Sequence, residues 1–391
     1  MPLPRFGARA GDYLRRTNKA LWILTLVISA YALLMIRTIP TPEGRTYSYF
    51  TIQLLAVCAG LLGAFLLTFL DYRTLGNFWY FVAAFCLLLI VLTFVNGVTV
   101  EGSGGVNARA WINLPGGLTF QPAELAKIGF LITFGVHLQA LEERELLDRP
   151  LHVVLLLVHA GVPVLLTHAQ GDDGAAIIFL CMFLFMAFGA GVKLRYFLIL
   201  FAAIVAAVPI LWNFVLKDYQ KERILIFRHP EQDPLDAGLQ QLAGRMSIGS
   251  GQLTGRGLFT SPRVNSSAVP VQQSDFIFSA VGEQLGFLGC AAVLLLLALL
   301  MFTCLHIGRR SPDMLGRSIC FGYFGLLFAQ TLFNLGMCLN LLPVLGITLP
   351  FFSAGGSSSA CLYLGVGLVQ SVSIHRTGRR ETHLFLSSAP L

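Results

Sequence analysis

A long polar loop ends and an apolar segment begins at the sequence Pro270-Val-Gln-Gln-Ser-Asp-Phe-Ile-Phe-Ser-Ala-Val-Gly-Glu-Gln-Leu-Gly-Phe287. A helix that starts near Ser274 would place small and acidic residues on one narrow face, because their spacing follows the helical repeat. These residues are Asp275, Ser279, Gly282, Glu283 and Gly286. An ionised side chain that faces lipid is costly, so we expect this face to point toward other helices or a wet cavity. We interpret Asp275 as the candidate reactive residue, and a helix N-cap role is the alternative.

The composition of the chain is that of an integral membrane protein. Of its 391 residues, 55% are hydrophobic and 12% are charged, and the mean hydropathy is +0.73, whereas about a quarter of the residues in soluble proteins are charged. The sequence predicts an all-α, polytopic membrane protein of about ten transmembrane helices with one large extracytoplasmic loop. The ten apolar runs lie at about 21–36, 50–70, 78–97, 124–141, 151–167, 174–190, 196–216, 275–306, 318–340 and 355–374.

The distribution of positive charge predicts the orientation in the membrane. The first apolar run follows a basic tail and has no convincing small-residue cleavage site, which indicates a retained signal anchor. With that tail in the cytoplasm, most Lys and Arg residues outside the large loop fall on the cytoplasmic side. The positive-inside rule therefore predicts two cytoplasmic termini and places Asp275 on the outer side. The net charge of +7 follows from this bias, so we expect no nucleic-acid partner.

We expect a single integral membrane domain that covers residues 1–391. Its parts are a cytoplasmic basic tail (1–20), the first seven helices (21–216), the large outer loop (217–274), the last three helices (275–374) and a cytoplasmic tail (375–391). Loops as long as this outer loop tend to be functional. Its glycine-rich stretch at 247–257 could bring backbone N–H groups close to a phosphate, or it could simply form turns.

Cysteine and histidine residues give no sign of a transition-metal site. The eight Cys residues lie within or at the edges of the apolar runs and form no Cys-x-x-Cys pair. The eight His residues form no His-x-x-x-His pair and no cluster with Cys. We interpret the cysteines as small apolar residues rather than disulfides or zinc ligands.

Polar residues at the outer ends of the helices are further candidates for a functional site. The sequence Gln121-Pro-Ala-Glu-Leu-Ala-Lys127 opens the fourth apolar run, with Glu124 and Lys127 three residues apart on one helical face. An ion pair at membrane depth suggests function, and a pair that only fixes helix packing is the alternative. In His168-Ala-Gln-Gly-Asp-Asp-Gly174, the side chains of Gln170, Asp172 and Asp173 could face the same cavity as Asp275. The alternative is a polar helix entrance, where Asp is favoured by the positive N-terminus of the helix.

The stretch between the last two apolar runs predicts irregular backbone. It reads Asn340-Leu-Leu-Pro-Val-Leu-Gly-Ile-Thr-Leu-Pro-Phe-Phe-Ser-Ala-Gly-Gly-Ser-Ser-Ser359. Such backbone is tolerated at membrane depth only where it is buried in protein or lines a cavity. We expect Ser353, Ser357, Ser358 and the first N–H groups of the last helix to be available to a polar ligand.

These stretches together resemble the SEDS family of RodA, FtsW and SpoVE. The resemblance rests on Gln121-Pro-Ala-Glu-Leu-Ala-Lys127, Ser274-Asp-Phe-Ile-Phe278, Gly282-Glu283, Gly286-Phe-Leu-Gly289 and Pro350-Phe-Phe-Ser-Ala-Gly-Gly-Ser-Ser358. It runs in order from the first apolar run to about residue 374. The resemblance implies a ten-helix peptidoglycan glycosyltransferase in a bacterial cell membrane that polymerises lipid II on the outer face. It also implies a class B penicillin-binding protein as the transpeptidase partner.

The resemblance also implies roles for particular residues. Asp275 matches the essential aspartate of the family, which would act as general base toward the 4-hydroxyl of a GlcNAc acceptor. The supporting or substrate-binding residues are Arg109, Trp111, Gln121, Glu124, Lys127, Gln220, Arg223, Ser274, Glu283, Ser353, Gly355, Gly356 and Ser357. Lys127 and Arg109, and then Arg223, are the cations expected to face the undecaprenyl pyrophosphate leaving group. A divalent cation, Mg²⁺ or Mn²⁺, bridging Asp275 and the pyrophosphate is compatible with this sequence, which does not define a metal site.

The chain departs from the family pattern at three places. Ala110 separates Arg109 from Trp111, where many members have the two side by side. Asp173 adds a charge to the segment Gln170-Gly-Asp-Asp-Gly174, and Ala354 stands where an aromatic residue is common.

Two other functional classes stay open at this point. A flippase for lipid-linked precursors would need a charged path that reaches both leaflets. A non-catalytic scaffold would keep its function when Asp275 is neutralised. The sequence does not distinguish elongation, division and sporulation.

Overall fold

The structure is a computed structural model that describes residues 13, 15–44, 46–99, 108–115, 118–216, 221, 225, 227, 230–232 and 238–377. In these residues, ten helices are long and apolar enough to cross a membrane, as predicted. They are α1 (Lys19–Arg37), α2 (Tyr49–Leu67), α4 (Trp79–Asn96), α5 (Pro122–Glu143), α6 (Pro150–Ala169), α7 (Asp173–Ala190), α8 (Leu194–Ile210), α11 (Ile277–Arg309), α12 (Met314–Cys338) and α13 (Ser357–Ile374). Their ends lie within a few residues of the predicted bounds.

Several shorter elements connect these helices. They are α3 (Tyr72–Asn77), α9 (Leu239–Ser250), α10 (Pro262–Asn265) and the antiparallel strands β1 (Ile112–Leu114) and β2 (Leu118–Phe120). The strands pair Ile112 with Phe120. This hairpin could not be predicted from the sequence, because strands of three residues are too short to show a clear alternation of polar and apolar positions.

The helices form a bundle with α13, α5 and α12 near its centre and α8 at its edge. In the most apolar stretch of α13, 83% of the residues are buried in protein, whereas no residue of α8 is buried. Glycines permit close contacts inside the bundle: a Cβ atom at Gly322 would lie 2.6 Å from Sδ of Met186. Small residues at helix contacts are typical of membrane bundles.

At the end that the charge distribution predicts to face the cytoplasm, Asp313 contacts both α3 and α12. Its Oδ2 accepts a 2.7 Å hydrogen bond from the Tyr72 hydroxyl and a 2.7 Å bond from Nε of Arg73. Its Oδ1 accepts from the N–H of Gly316 and so caps α12. Burial and the hydrogen bond to Asp313 raise the pKa of Tyr72. This contact ties α3 to the start of α12.

The helix that follows Asp275 begins later than predicted and is interrupted. Residues 270–276 form consecutive turns, and α11 begins at Ile277. Gly286 has φ 65° and ψ −158°, a conformation outside the helical region that is essentially restricted to glycine. The prediction of one continuous face from Asp275 to Gly286 is therefore wrong. Asp275 precedes the helix, and Gly286 ends its first section.

The interruption leaves backbone N–H and C=O groups of α11 without partners inside the helix. These groups form hydrogen bonds with residues 252–257 of the large loop, which we call the strap. The carbonyls of Glu283 and Gln284 accept hydrogen bonds of 2.9 and 3.0 Å from the N–H groups of Arg256 and Gly257. The N–H groups of Phe287 and Leu288 donate to the carbonyls of Gln252 and Leu253 at 2.8 and 3.2 Å. The strap thus satisfies donors and acceptors that a continuous helix would pair internally.

We expect Gly286→Ala to lower the free energy of unfolding by about 1 to 3 kcal/mol, because alanine rarely adopts this backbone conformation. A Cβ at this position would also lie 2.6 Å from the carbonyl carbon and oxygen of Leu253 in the strap. Thermal unfolding in detergent measures the effect. Gly161→Ala is the matched control, since a Cβ at Gly161 has open space around it. Equal melting temperatures for the two variants would contradict this account of Gly286.

Candidate active site

The main chain of Asp275 is fixed by a buried asparagine from α12. The Nδ2 group of Asn334 donates 2.7 Å hydrogen bonds to the carbonyls of both Asp275 and Ile347. The Asp275 residue itself is 6% exposed. Asn334 is not among the site residues predicted from the sequence, although a lone asparagine within an apolar span is a recognisable signal of a buried polar role.

The irregular segment before α13 holds the residues just before Asp275. Ser353 Oγ donates to the carbonyl of Ser274 at 2.6 Å and accepts from the N–H of Leu349 at 2.8 Å. The N–H of Ala354 donates to the carbonyl of Gln273 at 2.8 Å. Ser353 and Ser274 therefore position the chain around Asp275, and the predicted irregular backbone packs against it.

Glu124 and Lys127 form the ion pair that their spacing predicts. Lys127 Nζ lies 2.8 Å from Glu124 Oε1, and both residues are buried in the first turns of α5. Pro122 occupies the first turn, where its lack of an N–H group is harmless. A buried ion pair is strongly coupled, because each charge depends on the other for its stabilisation.

Gln121 joins the starts of three helices beside this pair. Its N–H donates to Ser357 Oγ at 3.2 Å, and its Nε2 donates to Asp172 Oδ2 at 2.5 Å. Asp172 Oδ1 accepts from the N–H of Ala175 and caps α7. Burial raises the pKa of the Asp172 carboxyl, and the positive charge of Lys127 acts in the opposite direction. Asp172 therefore belongs to the same electrostatic environment as the ion pair.

Residues 345–347 lie between this polar group and Asp275. A Cβ at Gly174, at the start of α7, would lie 2.7 Å from the carbonyl oxygen of Leu345. A Cβ at Gly346 would lie 3.8 Å from Oδ2 of Asp275. Asp275, Asp172 and the Glu124–Lys127 pair thus lie at the same end of the bundle and are connected through this segment. We call this end the Asp275 side.

The last helix begins at this end through two glycines. Gly356 is the N-cap residue of α13 and has φ 41°, and the N–H of Gly355 donates to the carbonyl of Ser353 at 2.8 Å. The Ser357 hydroxyl accepts from Gln121, as described above. The serine and glycine residues of this turn therefore shape the wall of the site.

Arg109 and Trp111 belong to the loop that covers the α6–α7 turn. The N–H of Arg109 donates to the carbonyl of Gln170 at 3.2 Å, while its side chain is exposed. The Trp111 carbonyl accepts from the N–H of Val98 at 2.9 Å. Gln170 in turn donates to the carbonyl of Ile90 and to Thr93 Oγ1. The loop is thereby anchored to α4 and to Gln170, the residue that ends α6.

Asp173, the additional charge, has a partner on the preceding helix. Its Oδ1 lies 2.6 Å from Nδ1 of His168, and both side chains are partly exposed. This contact gives Asp173 a local role at the start of α7.

Glu283 contacts the large loop, although its spacing in the sequence predicts that it shares a helical face with Asp275. Its Oε1 accepts a 2.9 Å hydrogen bond from the N–H of Arg263, and the residue is fully buried between α11 and the large loop. The reason is the late start of α11, which separates Asp275 from the helical face that Glu283 shares with Ser279 and Gly282. Gly282 packs against Ile248 of α9. Two further candidates, Gln220 and Arg223, lie outside the described residues.

The residues around Asp275 do not form a metal site in which the protein supplies most of the ligands. Within the described ranges, no three or more His, Cys, Asp or Glu residues are grouped so that they could hold a metal ion. Mg²⁺ often binds through only one or two carboxylates together with substrate phosphates. Asp275 fits that more limited requirement.

An apolar cavity of about 210 Å³ lies between α4, α5, α6 and α7. Ile90, Ala126, Phe130, His159 and Phe179 are among the residues that line it. Ala126 precedes Lys127 in the chain, but neither Glu124 nor Lys127 is among the residues that line the cavity.

We expect Asn334→Ala to destabilise the protein by about 1 to 3 kcal/mol, because two buried carbonyls would lose their donor. Release of the Asp275 main chain should also lower the turnover rate, since displacement of a reactive group by about 1 Å can cost 10²-fold. Thermal unfolding and an assay of the lipid II polymerisation that the sequence resemblance implies measure the two effects. Asn213→Ala, which removes a hydrogen bond to Pro209 on an exposed helix end, should change neither rate nor stability appreciably. Equal activity of both variants would exclude a positioning role for Asn334.

The bundle of ten helices is that of a polytopic membrane protein. Its polar residues Asp275, Asp172 and the buried Glu124–Lys127 pair place the candidate site at one membrane face. The chain matches the family model described as "Cell cycle protein" (FtsW, RodA and SpoVE) over residues 16–378. The protein belongs to this family and is therefore a multi-pass bacterial membrane protein.

Individual relatives agree with this assignment. The chain is 34% identical to "Peptidoglycan glycosyltransferase MrdB" of Escherichia coli K12 over 292 residues, which cover 74% of this chain and 76% of the relative. It is 31% identical to "Probable peptidoglycan glycosyltransferase FtsW" of Geobacter sulfurreducens over 310 residues, covering 79% and 81%. A chain from "Structural coordination of polymerization and crosslinking by a peptidoglycan synthase complex" superposes with a TM-score of 0.78 and 32% identity, over 93% of this chain and 99% of that one.

Proposed function

We propose that this protein is a peptidoglycan glycosyltransferase that polymerises lipid II, with the Asp275 side facing outward and both termini in the cytoplasm. The observation that carries the proposal is the placement of Asp275, a nearly buried residue whose main-chain carbonyl is held by Asn334, at the same end as the buried Glu124–Lys127 pair. The activity named for the relatives is consistent with this chemistry.

Asp275 is the proposed general base of the reaction. The 4-hydroxyl of a GlcNAc acceptor is a weak nucleophile, and a carboxylate within hydrogen-bond reach can remove its proton as the new bond forms. The acceptor oxygen forms a bond to the anomeric carbon of the muramyl donor. The bond between that carbon and the pyrophosphate oxygen breaks, and undecaprenyl pyrophosphate leaves with the electron pair. The proton remains on Asp275 until solvent removes it.

Lys127 is the proposed cation for the leaving group. Negative charge develops on the pyrophosphate, and a positioned cation in a site shielded from water stabilises it more strongly than in solution. Glu124 holds the Lys127 ammonium in place at 2.8 Å. The exposed side chain of Arg109 can approach the pyrophosphate from the loop above. The apolar cavity beside Ala126 offers room for part of a polyprenyl chain.

A divalent cation, Mg²⁺ or Mn²⁺, would be held by the Asp275 carboxylate and would neutralise charge on the pyrophosphate. We further propose a class B penicillin-binding protein as partner, because the superposing chain comes from a complex of polymerisation and crosslinking.

Polymerisation of fluorescent lipid II by the purified protein tests this proposal. We expect glycan ladders on a gel, with more product when a class B penicillin-binding protein is present. Passage of lipid II across vesicle membranes without ladders would favour a flippase and overturn the proposal.

A further inference from the structure

The lipid-facing part of α11 begins at the interruption at Gly286. The residues before it are buried in protein almost without exception, whereas Phe287 and Leu288 are 65% and 56% exposed. Exposed apolar side chains then recur along the helix, at Leu295 and Phe302 among others. The section from Phe287 to the end of α11 is about 34 Å long at 1.5 Å per residue, close to the hydrocarbon thickness of about 30 Å. The membrane boundary on the Asp275 side therefore lies near Phe287.

The strap lies at this same depth. Its carbonyls at Gln252 and Leu253 accept hydrogen bonds from Phe287 and Leu288, at 2.8 and 3.2 Å. These contacts involve main-chain atoms, so they fix the position of the strap backbone whatever its side chains do. The strap therefore lies against the first lipid-facing residues of the span.

The strap and its neighbours expose large apolar side chains. Leu253 is 60% exposed, Phe259 is 55% exposed and Met246 is 54% exposed. Single exposed apolar residues are ordinary on protein surfaces. Leu253, however, continues the lipid-facing surface of α11, because the strap is hydrogen-bonded to the start of that surface.

The charge of this region complements phospholipid headgroups. Between Leu239 and Ser274 the charged residues are Arg245, Arg256 and Arg263, with no Asp, Glu or Lys. Arg245 and Arg256 are exposed. Arginine next to exposed leucine and phenylalanine is typical of segments that lie in the membrane interface.

We infer that residues 245–260 are an interfacial anchor embedded in the leaflet on the Asp275 side. Leu253 and Phe259 contact acyl chains, and Arg245 and Arg256 contact lipid phosphates. This part of the large loop is thus bound to the bilayer rather than surrounded by water. The inference concerns the position of the loop and does not depend on the proposed reaction.

Spin labels at positions 253 and 259 test the inference. Cys58 is the exposed cysteine among the eight native ones, so Cys58→Ser provides the background for Leu253→Cys and Phe259→Cys. The protein is reconstituted alone in nanodiscs of phosphatidylethanolamine and phosphatidylglycerol. Collision rates with oxygen, which partitions into lipid, and with a water-soluble nickel chelate report the depth of each label. Asn265→Cys and Ser267→Cys, exposed positions on the same loop, are the matched controls.

We expect oxygen to collide more often, and the nickel chelate less often, with labels at 253 and 259 than with labels at 265 and 267. If the labels at 253 and 259 move toward water when phosphatidylglycerol is omitted, this would further support the contacts of Arg245 and Arg256 with lipid phosphates. Chelate collision rates equal to those of the controls would overturn the inference. Protection of the labels only after a penicillin-binding protein is added would also overturn it, in favour of a protein contact. These readouts are independent of catalytic activity.

Discussion

Asp275→Asn is expected to lower the rate of lipid II polymerisation by a factor of about 10² to 10⁴, because an amide cannot accept the proton of the acceptor hydroxyl. The substitution preserves the size of the side chain and leaves the main-chain contact with Asn334 in place. The thermal unfolding temperature should therefore change little. Glycan ladders from fluorescent lipid II, at equal protein concentration, measure the loss.

Asp173→Asn is the matched control for this variant. It makes the same chemical change on the same side of the protein, but Asp173 is partly exposed and contacts His168. We expect near-normal polymerisation. Full activity of Asp275→Asn would exclude the general-base assignment and would direct the search for the base to Asp172. Restored growth of a depleted strain by an Asp275→Asn variant without polymerase activity would instead favour a scaffold.

Lys127→Met is expected to affect both stability and rate. Loss of the ammonium leaves the Glu124 carboxylate buried without its cation, and removal of one partner of a buried pair typically costs about 3 to 5 kcal/mol. It should also raise the pKa of Asp172 further, because Lys127 opposes the effect of burial on that carboxyl. Thermal unfolding in detergent and the polymerisation assay measure the two losses separately.

The double variant Lys127→Met with Glu124→Gln separates packing from catalysis. It removes both charges, so most of the lost stability should return. Activity should stay low by about 10² to 10³-fold, because the leaving pyrophosphate would still lack its positioned cation. A stable double variant with normal activity would show that the pair only fixes helix packing.

The features that depend on local sequence were the ones that could be predicted. The spans follow from the lengths of the apolar runs, and the Glu124–Lys127 contact follows from a spacing of three residues on one helix. The irregular segment before the last helix could be predicted from its prolines and glycines.

The features that depend on contacts between distant parts of the chain could not be predicted. The interruption at Gly286 is stabilised by the strap, which comes from the preceding loop, and a glycine in an apolar run does not by itself indicate this. The position of Glu283 could not be predicted for the same reason, because its hydrogen-bond partner is the N–H of Arg263 in the preceding loop. The link between Gln121 and Asp172 joins residues 51 positions apart, and neither residue signals the other.

The interruption of α11 also bears on how the protein responds to membranes of different thickness. A continuous α11 of 33 residues would be about 50 Å long, and a helix adapts to a mismatch with the bilayer by tilting. Such a tilt would carry any residue at its end sideways. Because the helix is divided at Gly286 and the strap is hydrogen-bonded to both sides of the division, we expect a tilt of the section in lipid to move the section next to Asp275 less than it would in a continuous helix. We therefore expect the geometry around the Asp275 carboxylate to depend little on lipid chain length.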